Sequence, residues 1–349
     1  MRVRYAAAAA LLVSVAACAS DDEPAPPDEP DAASPPPAAT TGDTEPLDWR
    51  PVAGTVDDPV TRNGEWTLTV TADGGSWELS GSDSGTGEGA GPGWRVSDAL
   101  LDEDWAVVVL QDETEQRPGR ATVTDLESGE TFRLDGRSDV PTTNGGTWAL
   151  GDDRLLHATV RDGAYCLADV DLASRESEVA WCAPDRQGFN AAHATDEGDT
   201  LLTFDDGRPS CRTVVTVDGG ATEPFPGAAE CKGWEGVLVD GGAVWSEIPR
   251  ERQIERAELH ARAGDESVDL GPGVAGSLVE CAGAAYFVRD PQQQGDPATL
   301  MRWTVSDGLT AVYESPAGQA FLEPPRCGGD AITVTARASS GDEQVTADL

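Results

Sequence analysis

Short apolar runs separated by tight turns dominate the chain from about residue 60 onward. The segments WAVVVLQD, RTVVTVDGG and AITVTARA are rich in Val and Thr and are bounded by Gly or Asp. This pattern predicts strands and not helices. The charged stretch 250–262 alone has some helical character, and its apolar residues fit a strand as well. Beyond the N-terminal region, the chain is therefore predicted to be almost entirely β.

One turn of small or acidic residues recurs directly before an apolar strand. Its last residue is, in order, Gly64, Asp104, Asp153, Asp199, Gly242, Gly283 and Asp330. These positions are 40 to 49 residues apart, about 44 on average. Four short strands in a unit of this length are typical of a β-propeller blade, because one such sheet cannot cover both of its faces and radial stacking buries them.

The repeat resembles that of the broad class of propeller domains in exported bacterial lipoproteins, over residues 49–349. The prediction is an all-β fold: a β-propeller of about seven four-stranded blades, with six left open, after a disordered tether. A two-sheet β-sandwich is the alternative. Only 19 residues follow Asp330, which is enough for two strands. The N-terminal part must then complete the last blade, either as residues 49–56 or as the hairpin 66–79.

The N-terminus has the features of an export signal. Arg2 and Arg4 precede an apolar run of 13 residues, 5–17, which is shorter than the roughly 20 residues that span a bilayer. The tetrad Val15-Ala16-Ala17-Cys18 resembles the lipobox of bacterial lipoproteins. The resemblance implies a signal peptide over 1–17, cleavage before Cys18 and a lipid on its sulfur. The lipid bilayer is then a partner through Cys18, and the protein is expected on the outer face of the cell membrane.

Residues 18–48 contain mainly Asp, Glu, Pro, Ala and Thr, with almost no aliphatic residue that could form a core. Such a composition cannot offset the entropy of ordering, so this segment is predicted to be a disordered tether. Residues 49–349 are the folded domain.

Charge limits the partners of this chain. It has 24 basic and 63 acidic residues, a formal net charge of −39, and Lys232 is its only lysine. Nucleic acid is excluded as a partner, because its binding requires clustered Lys and Arg. The acidity indicates a solvated, soluble surface, and attraction for cations or basic partners is the alternative.

The repeat register predicts how six cysteines pair. An even number in an exported chain indicates disulfides. Cys166 and Cys182 are symmetric about one hairpin turn, and Cys211 and Cys231 about the turn of the next blade. Cys281 and Cys327 are 46 residues apart, one repeat, and should lie on the inner strands of neighbouring blades. The predicted pairs are Cys166–Cys182, Cys211–Cys231 and Cys281–Cys327.

The sequence contains few motifs that indicate catalysis or ligand binding. No metal-binding Cys or His spacing and no phosphate-binding loop occurs, so neither a metal nor a cofactor is expected. The three histidines, His157, His193 and His260, are interpreted as ordinary strand residues. Acidic residues are too abundant for any pair to indicate catalysis. No catalytic residue is predicted.

Two further patterns concern turns and aromatic residues. The segment 71–77, TADGGSW, resembles the Asp-box of sialidase-type propellers with its Trp one residue early, which implies only a hairpin turn. Trp66, Trp105 and Trp245 follow the recurring turn, so they are predicted to pack between blades and not to form a platform for sugars.

Three functions remain from the sequence. The preferred one is a surface-tethered binding or scaffold domain for an unknown protein or carbohydrate ligand. An extracellular, glycosidase-like hydrolase or lyase using carboxylates is the first alternative, and it predicts a pocket with convergent acids of shifted pKa. An accessory subunit of an envelope complex is the second, and it predicts an exposed apolar patch.

Overall fold

The computed structural model describes residues 47–81, 85–151 and 153–349, which belong to one compact unit. The predicted signal peptide, Cys18 and nearly all of the predicted tether lie outside the described residues. The strand β1 (Arg50–Pro51) comes first in the chain and joins the last blade. Within the described ranges, no helix has the length and apolarity needed to cross a membrane.

The first four blades are antiparallel sheets whose strands follow one another in chain order. Blade 1 holds β2 (Val60–Arg62), β3 (Thr67–Val70), β4 (Ser76–Ser80) and β5 (Gly85–Gly89). Blade 2 holds β6 (Trp94–Leu101), β7 (Trp105–Asp112), β8 (Arg120–Asp125) and β9 (Thr131–Leu134). Blade 3 holds β10 (Trp148–Gly151), β11 (Arg154–Arg161), β12 (Ala164–Asp171) and β13 (Ser177–Cys182). Blade 4 holds β14 (Gln187–Thr195), β15 (Gly198–Asp205), β16 (Arg212–Asp218) and β17 (Ala221–Pro224).

The last three blades complete the ring. Blade 5 holds β18 (Gly233–Val239), β19 (Gly242–Glu247), β20 (Glu258–Ala263) and β21 (Glu266–Pro272). Blade 6 holds β22 (Val279–Cys281), β23 (Ala284–Arg289), β24 (Thr299–Thr304) and β25 (Gly308–Glu314). Blade 7 holds β26 (Ala320–Leu322), β27 (Arg326–Cys327), β28 (Ala331–Ala338), β29 (Glu343–Asp348) and β1. Its innermost strand is interrupted, since β26 and β27 both pair with β28.

The architecture is a seven-bladed β-propeller, as the repeat period predicts. The first strands of neighbouring blades contact each other all the way around, from β2 to β6 and finally from β27 back to β2. The six-blade count and the two-sheet sandwich are thereby wrong. The ring is closed by β1, which pairs with β29. Of the two closing segments considered, residues 49–56 supply it, whereas the hairpin 66–79 lies in blade 1.

The recurring turn joins the first strand of each blade to the second. Every apolar run that follows it becomes a second strand, and from β7 onward at least half of the residues of each of these strands are buried. They lie inside a blade and between two other blades, which explains their continuous apolar sequence. Two of the residues predicted to end the recurring turn, Asp199 and Gly242, already belong to the following strands β15 and β19.

The core is divided among the boundaries between blades. Six hydrophobic clusters of described residues each lie between two consecutive blades, from blades 1 and 2 to blades 6 and 7. None of these clusters spans blades 7 and 1. That boundary is joined by polar contacts: Gly64 N–H donates to Asp330 at 2.8 Å, and the Gln344 amide donates to the Asp58 carbonyl at 3.3 Å.

Two sequence interpretations concern local turns. Thr71 Oγ1 donates to Asp73 at 2.8 Å, and the same Asp73 oxygen accepts the Gly75 N–H at 2.8 Å. The Asp-box-like segment thus forms the hairpin turn between β3 and β4, as predicted. The stretch 250–262 contains a single turn of 3-10 helix, Ile254–Arg256, followed by β20.

Candidate functional site

The seven first strands end at a common opening, here called the channel mouth. The ends of these strands and the turns after them line a cavity of about 630 Å³, and every blade contributes. The geometry follows from the fold: the recurring turn of each blade lies at the same end of the ring, so seven turns surround one axis.

The mouth is strongly acidic. Its described lining residues include one arginine, Arg326, and one histidine, His193. The lining carboxylates are Asp102, Glu103, Asp104, Asp153, Asp196, Glu197, Asp240 and Glu280. Clustering of like charges in a concave site focuses a negative potential and raises the local concentration of cations.

Asp102 is held by the turn between β6 and β7. Its Oδ1 accepts the N–H groups of Asp104 at 3.0 Å and Trp105 at 2.7 Å. Asn63 makes the same arrangement in blade 1, and its amide donates to the Asp102 carbonyl at 2.7 Å. Burial raises the pKa of Asp102 to about 6, with a smaller contribution from the charges of Asp104 and Asp153. This carboxyl therefore titrates close to neutral pH.

Glu280 occupies the corresponding end of β22. It accepts the Gly283 N–H at 2.7 Å. Burial, the largest cause, and the nearby charges of Asp196 and Asp240 raise the pKa of Glu280 to about 7. Two carboxyl groups of the mouth thus change charge within the physiological pH range.

Arg326 is the cation of the mouth. Burial lowers its pKa, against the opposing charges of Glu323 and Asp98. The pKa of Asp98 is raised by burial, although Ser97 and Arg326 act in the opposite direction. Arg326 forms no hydrogen bond or ion pair through its side chain with the described residues, so its guanidinium offsets only part of the surrounding negative charge.

The histidines occupy different environments. His193 follows a bulge in β14 and lines the mouth, where burial lowers its pKa to about 4. It is neutral at physiological pH. His157 is buried in blade 3 and stacks on Trp148 with ring centroids 5.0 Å apart. His260 lies on β20 beside Trp245. The three rings are thus spread over three blades.

The six cysteines pair as the register predicts: Cys166–Cys182, Cys211–Cys231 and Cys281–Cys327. The first bridge joins directly opposed residues of β12 and β13. The third joins the first strands of blades 6 and 7 at the mouth. The second differs from the expected hairpin geometry, because Cys211 lies directly before β16 and Cys231 lies in the loop before β18, so neither is on a strand.

Metal binding has no preformed site in the described ranges. One group of three possible ligands lies close together, namely Cys211, Glu230 and Cys231. Its two sulfurs form a disulfide, which removes the thiolates that a metal requires. The carboxylates of the mouth do not form such a group.

The tryptophans that follow the recurring turn are structural. Trp105 is buried and donates its indole N–H to Asp153 across blades 2 and 3 at 2.9 Å. Trp245 is buried and donates to Glu247 at 3.1 Å. Trp66 packs against blade 2 and Gly81. These residues therefore form no platform for sugars.

The sequence predicted convergent acids at the channel mouth only for the hydrolase alternative, and it identified none of the residues of the acidic mouth. Its carboxylates stand in or beside the recurring turn, so the signal was present in the repeat itself. Their common location follows only from the ring, and 63 acidic residues in the chain concealed it.

Comparisons with known proteins show the fold alone. No protein family matches the chain, and no curated protein matches it. The β-propeller domain of the trilobed protease from Pyrococcus furiosus is 12% identical to this chain, with a TM-score of 0.58. The match covers 83% of this chain and 94% of that one. A prolyl endopeptidase is 12% identical with a TM-score of 0.52, and this chain covers 46% of its length. An oligogalacturonate lyase from Vibrio parahaemolyticus is 13% identical with a TM-score of 0.49, over 89% of this chain and 99% of that one.

Proposed function

We propose that this protein is a lipid-anchored, extracytoplasmic binding domain whose channel mouth takes a cationic ligand, such as a basic peptide segment of a partner protein. In this proposal Cys18 carries the lipid, residues 18–48 are the tether and residues 49–349 are the propeller. The observation that carries the proposal is the group of eight carboxylates from blades 2 to 6 that line one cavity, with Arg326 as the only cation among its described lining residues.

The dimensions of the mouth favour an extended cation over a metal ion. Metal coordination requires several ligand atoms within a few ångström of one another, and the described carboxylates do not meet that condition. The cavity of about 630 Å³ has room for more than one side chain. Leu100, Leu150 and Leu238 also line it, and they complement the methylene stems of Lys and Arg.

The binding proposal is tested with a fluorescein-labelled pentalysine peptide, followed by fluorescence anisotropy. Neutralising four exposed mouth acids should weaken binding about tenfold or more. A control variant neutralises four exposed acids on other surfaces and should bind within about twofold of the wild type. The mouth variant is Glu103→Gln, Asp196→Asn, Glu197→Gln, Asp240→Asn, and the control is Glu178→Gln, Asp218→Asn, Glu223→Gln, Glu266→Gln. Equal losses in both variants would indicate attraction by overall charge and contradict a site at the mouth.

The extracytoplasmic location is supported by the three disulfides, which form and persist in oxidising compartments. The anchor is tested by mass spectrometry of protein extracted from membranes. An acylated N-terminal Cys18 is expected, and an unmodified Cys18 would contradict the anchor without affecting the mouth.

A second candidate function is the carboxylate-dependent hydrolase or lyase. The specific observation in its favour is that Asp102 and Glu280, both in the mouth, have raised pKa values near 6 and 7. A carboxyl that titrates near neutrality is suited to general acid-base chemistry. Turnover of chromogenic glycosides that is lost in Glu280→Gln and retained in Glu266→Gln would favour this function over simple binding.

The envelope-complex alternative receives less support. The exposed large apolar side chains of the described ranges are Val160, Ile254, Val305, Phe321 and Leu349. They are distributed over blades 3, 5, 6 and 7, and single exposed apolar residues of this kind are common on protein surfaces.

A further inference from the structure

A groove on the face opposite the channel mouth is independent of the proposed cation site. In each blade the turn after the second strand and the connection to the next blade lie at the end away from the mouth. In blades 6 and 7 these segments, together with β26, enclose a groove of about 800 Å³. Its lining includes the side chains of Gln292, Gln293, Gln294, Phe321, Arg337 and Asp342.

Phe321 provides an aromatic surface in this groove. It is 55% exposed, the largest exposed fraction among the large apolar side chains of the described ranges. Its neighbour Leu322 is 4% exposed and packs in the core between blades 6 and 7. Because side chains alternate along a strand, the burial of Leu322 directs Phe321 to the opposite face of β26. The ring is therefore presented in the groove by a fixed strand.

Amide groups lie in the same groove. The loop before β24 carries three consecutive glutamines. The Gln292 amide donates to the Asp290 carbonyl at 2.7 Å, and the Gln293 backbone N–H donates to Asp296 at 2.9 Å. The side-chain amides of Gln293 and Gln294 form no hydrogen bond with any described residue. Each can both donate and accept.

Carboxylates outnumber the one arginine in the lining of the groove, which holds Arg337, Asp296 and Asp342. Arg337, directly opposite Phe321 in the sheet, forms ion pairs with Asp342 at 3.2 Å, Glu323 at 2.8 Å and Asp57 at 2.7 Å. Its guanidinium is thus neutralised and held in place. An anionic ligand would gain little here, because Arg337 is already paired and carboxylates outnumber it.

We propose that this groove binds an uncharged saccharide chain. The C–H face of a sugar ring would stack on Phe321, since an exposed aromatic ring offers an apolar surface at low entropic cost. The free amides of Gln293 and Gln294 would exchange hydrogen bonds with sugar hydroxyls. The ion-paired arginine and the excess of carboxylates favour neutral sugars over uronic acids.

The test is affinity electrophoresis of the detergent-solubilised full chain in native gels that contain dextran, laminarin or arabinogalactan. Slower migration in at least one of the three polysaccharides is expected. Phe321→Ala should raise the dissociation constant about tenfold, and Gln293→Ala about fivefold. Val160→Ala is the matched control, because Val160 is 51% exposed on a different blade, and it should migrate like the wild type.

Unchanged migration in all three polysaccharides would overturn the proposal, as would retardation that persists in Phe321→Ala. Loss of self-association in Phe321→Ala without any effect on migration in the polysaccharides would assign the ring to a protein contact and would also overturn it. The four-acid mouth variant should keep its saccharide retardation, so this proposal and the proposed cation site fail or succeed separately.

Discussion

Trp49 lies edge-on to Tyr313, with ring centroids 5.1 Å apart and ring planes at 64°. Its indole N–H donates to the Val312 carbonyl at 2.7 Å. The next residues form β1, which pairs with β29 in blade 7. The start of the described chain is thereby fixed to blade 6 by a side chain and to blade 7 by the backbone.

Trp49→Ala should lower the free energy of unfolding by about 2 to 3 kcal/mol, because it removes a large packed ring and the contact that supports β1. Urea denaturation followed by circular dichroism measures the change. Trp49→Phe should lose less, since it keeps an aromatic ring against Tyr313. Equal losses in the two variants would assign the effect to the hydrogen bond with Val312 alone.

Gly328→Ala should destabilise the boundary between blades 7 and 1. A Cβ at Gly328 would lie 2.0 Å from the Arg62 carbonyl oxygen, so the backbone of blade 1 must move. A loss of about 2 to 3 kcal/mol in the free energy of unfolding is expected. The control is Gly89→Ala, whose Cβ would meet its nearest atom at 3.8 Å. A Gly328→Ala variant as stable as Gly89→Ala would contradict this, because it would show that blade 1 can move without lowering the free energy of unfolding.

The three disulfides should differ in their ease of reduction. Cys231 is exposed in a loop, whereas Cys166 and Cys281 are fully buried. Because thiol exchange requires access to a sulfur, Cys211–Cys231 should be the first bridge reduced by dithiothreitol. Alkylation at increasing reductant concentrations, followed by peptide mass spectrometry, gives the order. Early alkylation of Cys281 would contradict it.

Glu235 should make the stability of the fold depend on pH. It is 4% exposed and accepts hydrogen bonds from Gly276 N–H at 2.9 Å and Ser246 Oγ at 3.1 Å. Burial raises its pKa from 4.5 to about 7, so the folded state binds its proton more tightly than the unfolded state. The stability from this proton is fully present below about pH 4.5 and is lost as the pH rises through 7.

Glu235→Gln should remove the contribution of Glu235 to the pH dependence of the free energy of unfolding. This contribution is on the order of 3 kcal/mol between pH 4.5 and pH 8. Urea denaturation at a series of pH values measures it. The exposed control Glu178→Gln should keep the wild-type slope. An unchanged slope in Glu235→Gln would show that other buried carboxyls carry the whole dependence.

Pentalysine binding at the mouth should strengthen as the pH rises from 5.5 to 8. Glu280, with its pKa of about 7, loses its proton in this interval and adds a negative charge to the site. Glu280→Gln should reduce the rise to the part that Asp102 contributes through its pKa of about 6, and the exposed control Glu266→Gln should leave it unchanged. Anisotropy titrations at constant ionic strength measure the affinities. Binding that is independent of pH would place the peptide away from Glu280.

The sequence predicted the blades better than the site. Each blade has a turn signal before a continuously apolar strand, and this pattern depends on local packing that every blade repeats. Cys281 and Cys327 could be paired because one repeat separates them. The position of Cys231 was predicted wrongly, because the repeat does not determine the length of the loop that holds it. The carboxylates of the mouth belong to five separate blades, 2 to 6, and only the ring brings them together.

Four of the boundaries between neighbouring blades are joined by links of different kinds. Blades 1 and 2 are joined by Asn63 and the Asp102 carbonyl, blades 2 and 3 by Trp105 and Asp153, and blades 3 and 4 by Arg154 and Asp199. Blades 6 and 7 share a disulfide. These blades therefore carry partner groups for specific neighbours. A chain with its blades reordered would keep the repeat and lose these matches, so their order around the ring is encoded by the links and not by the common blade pattern.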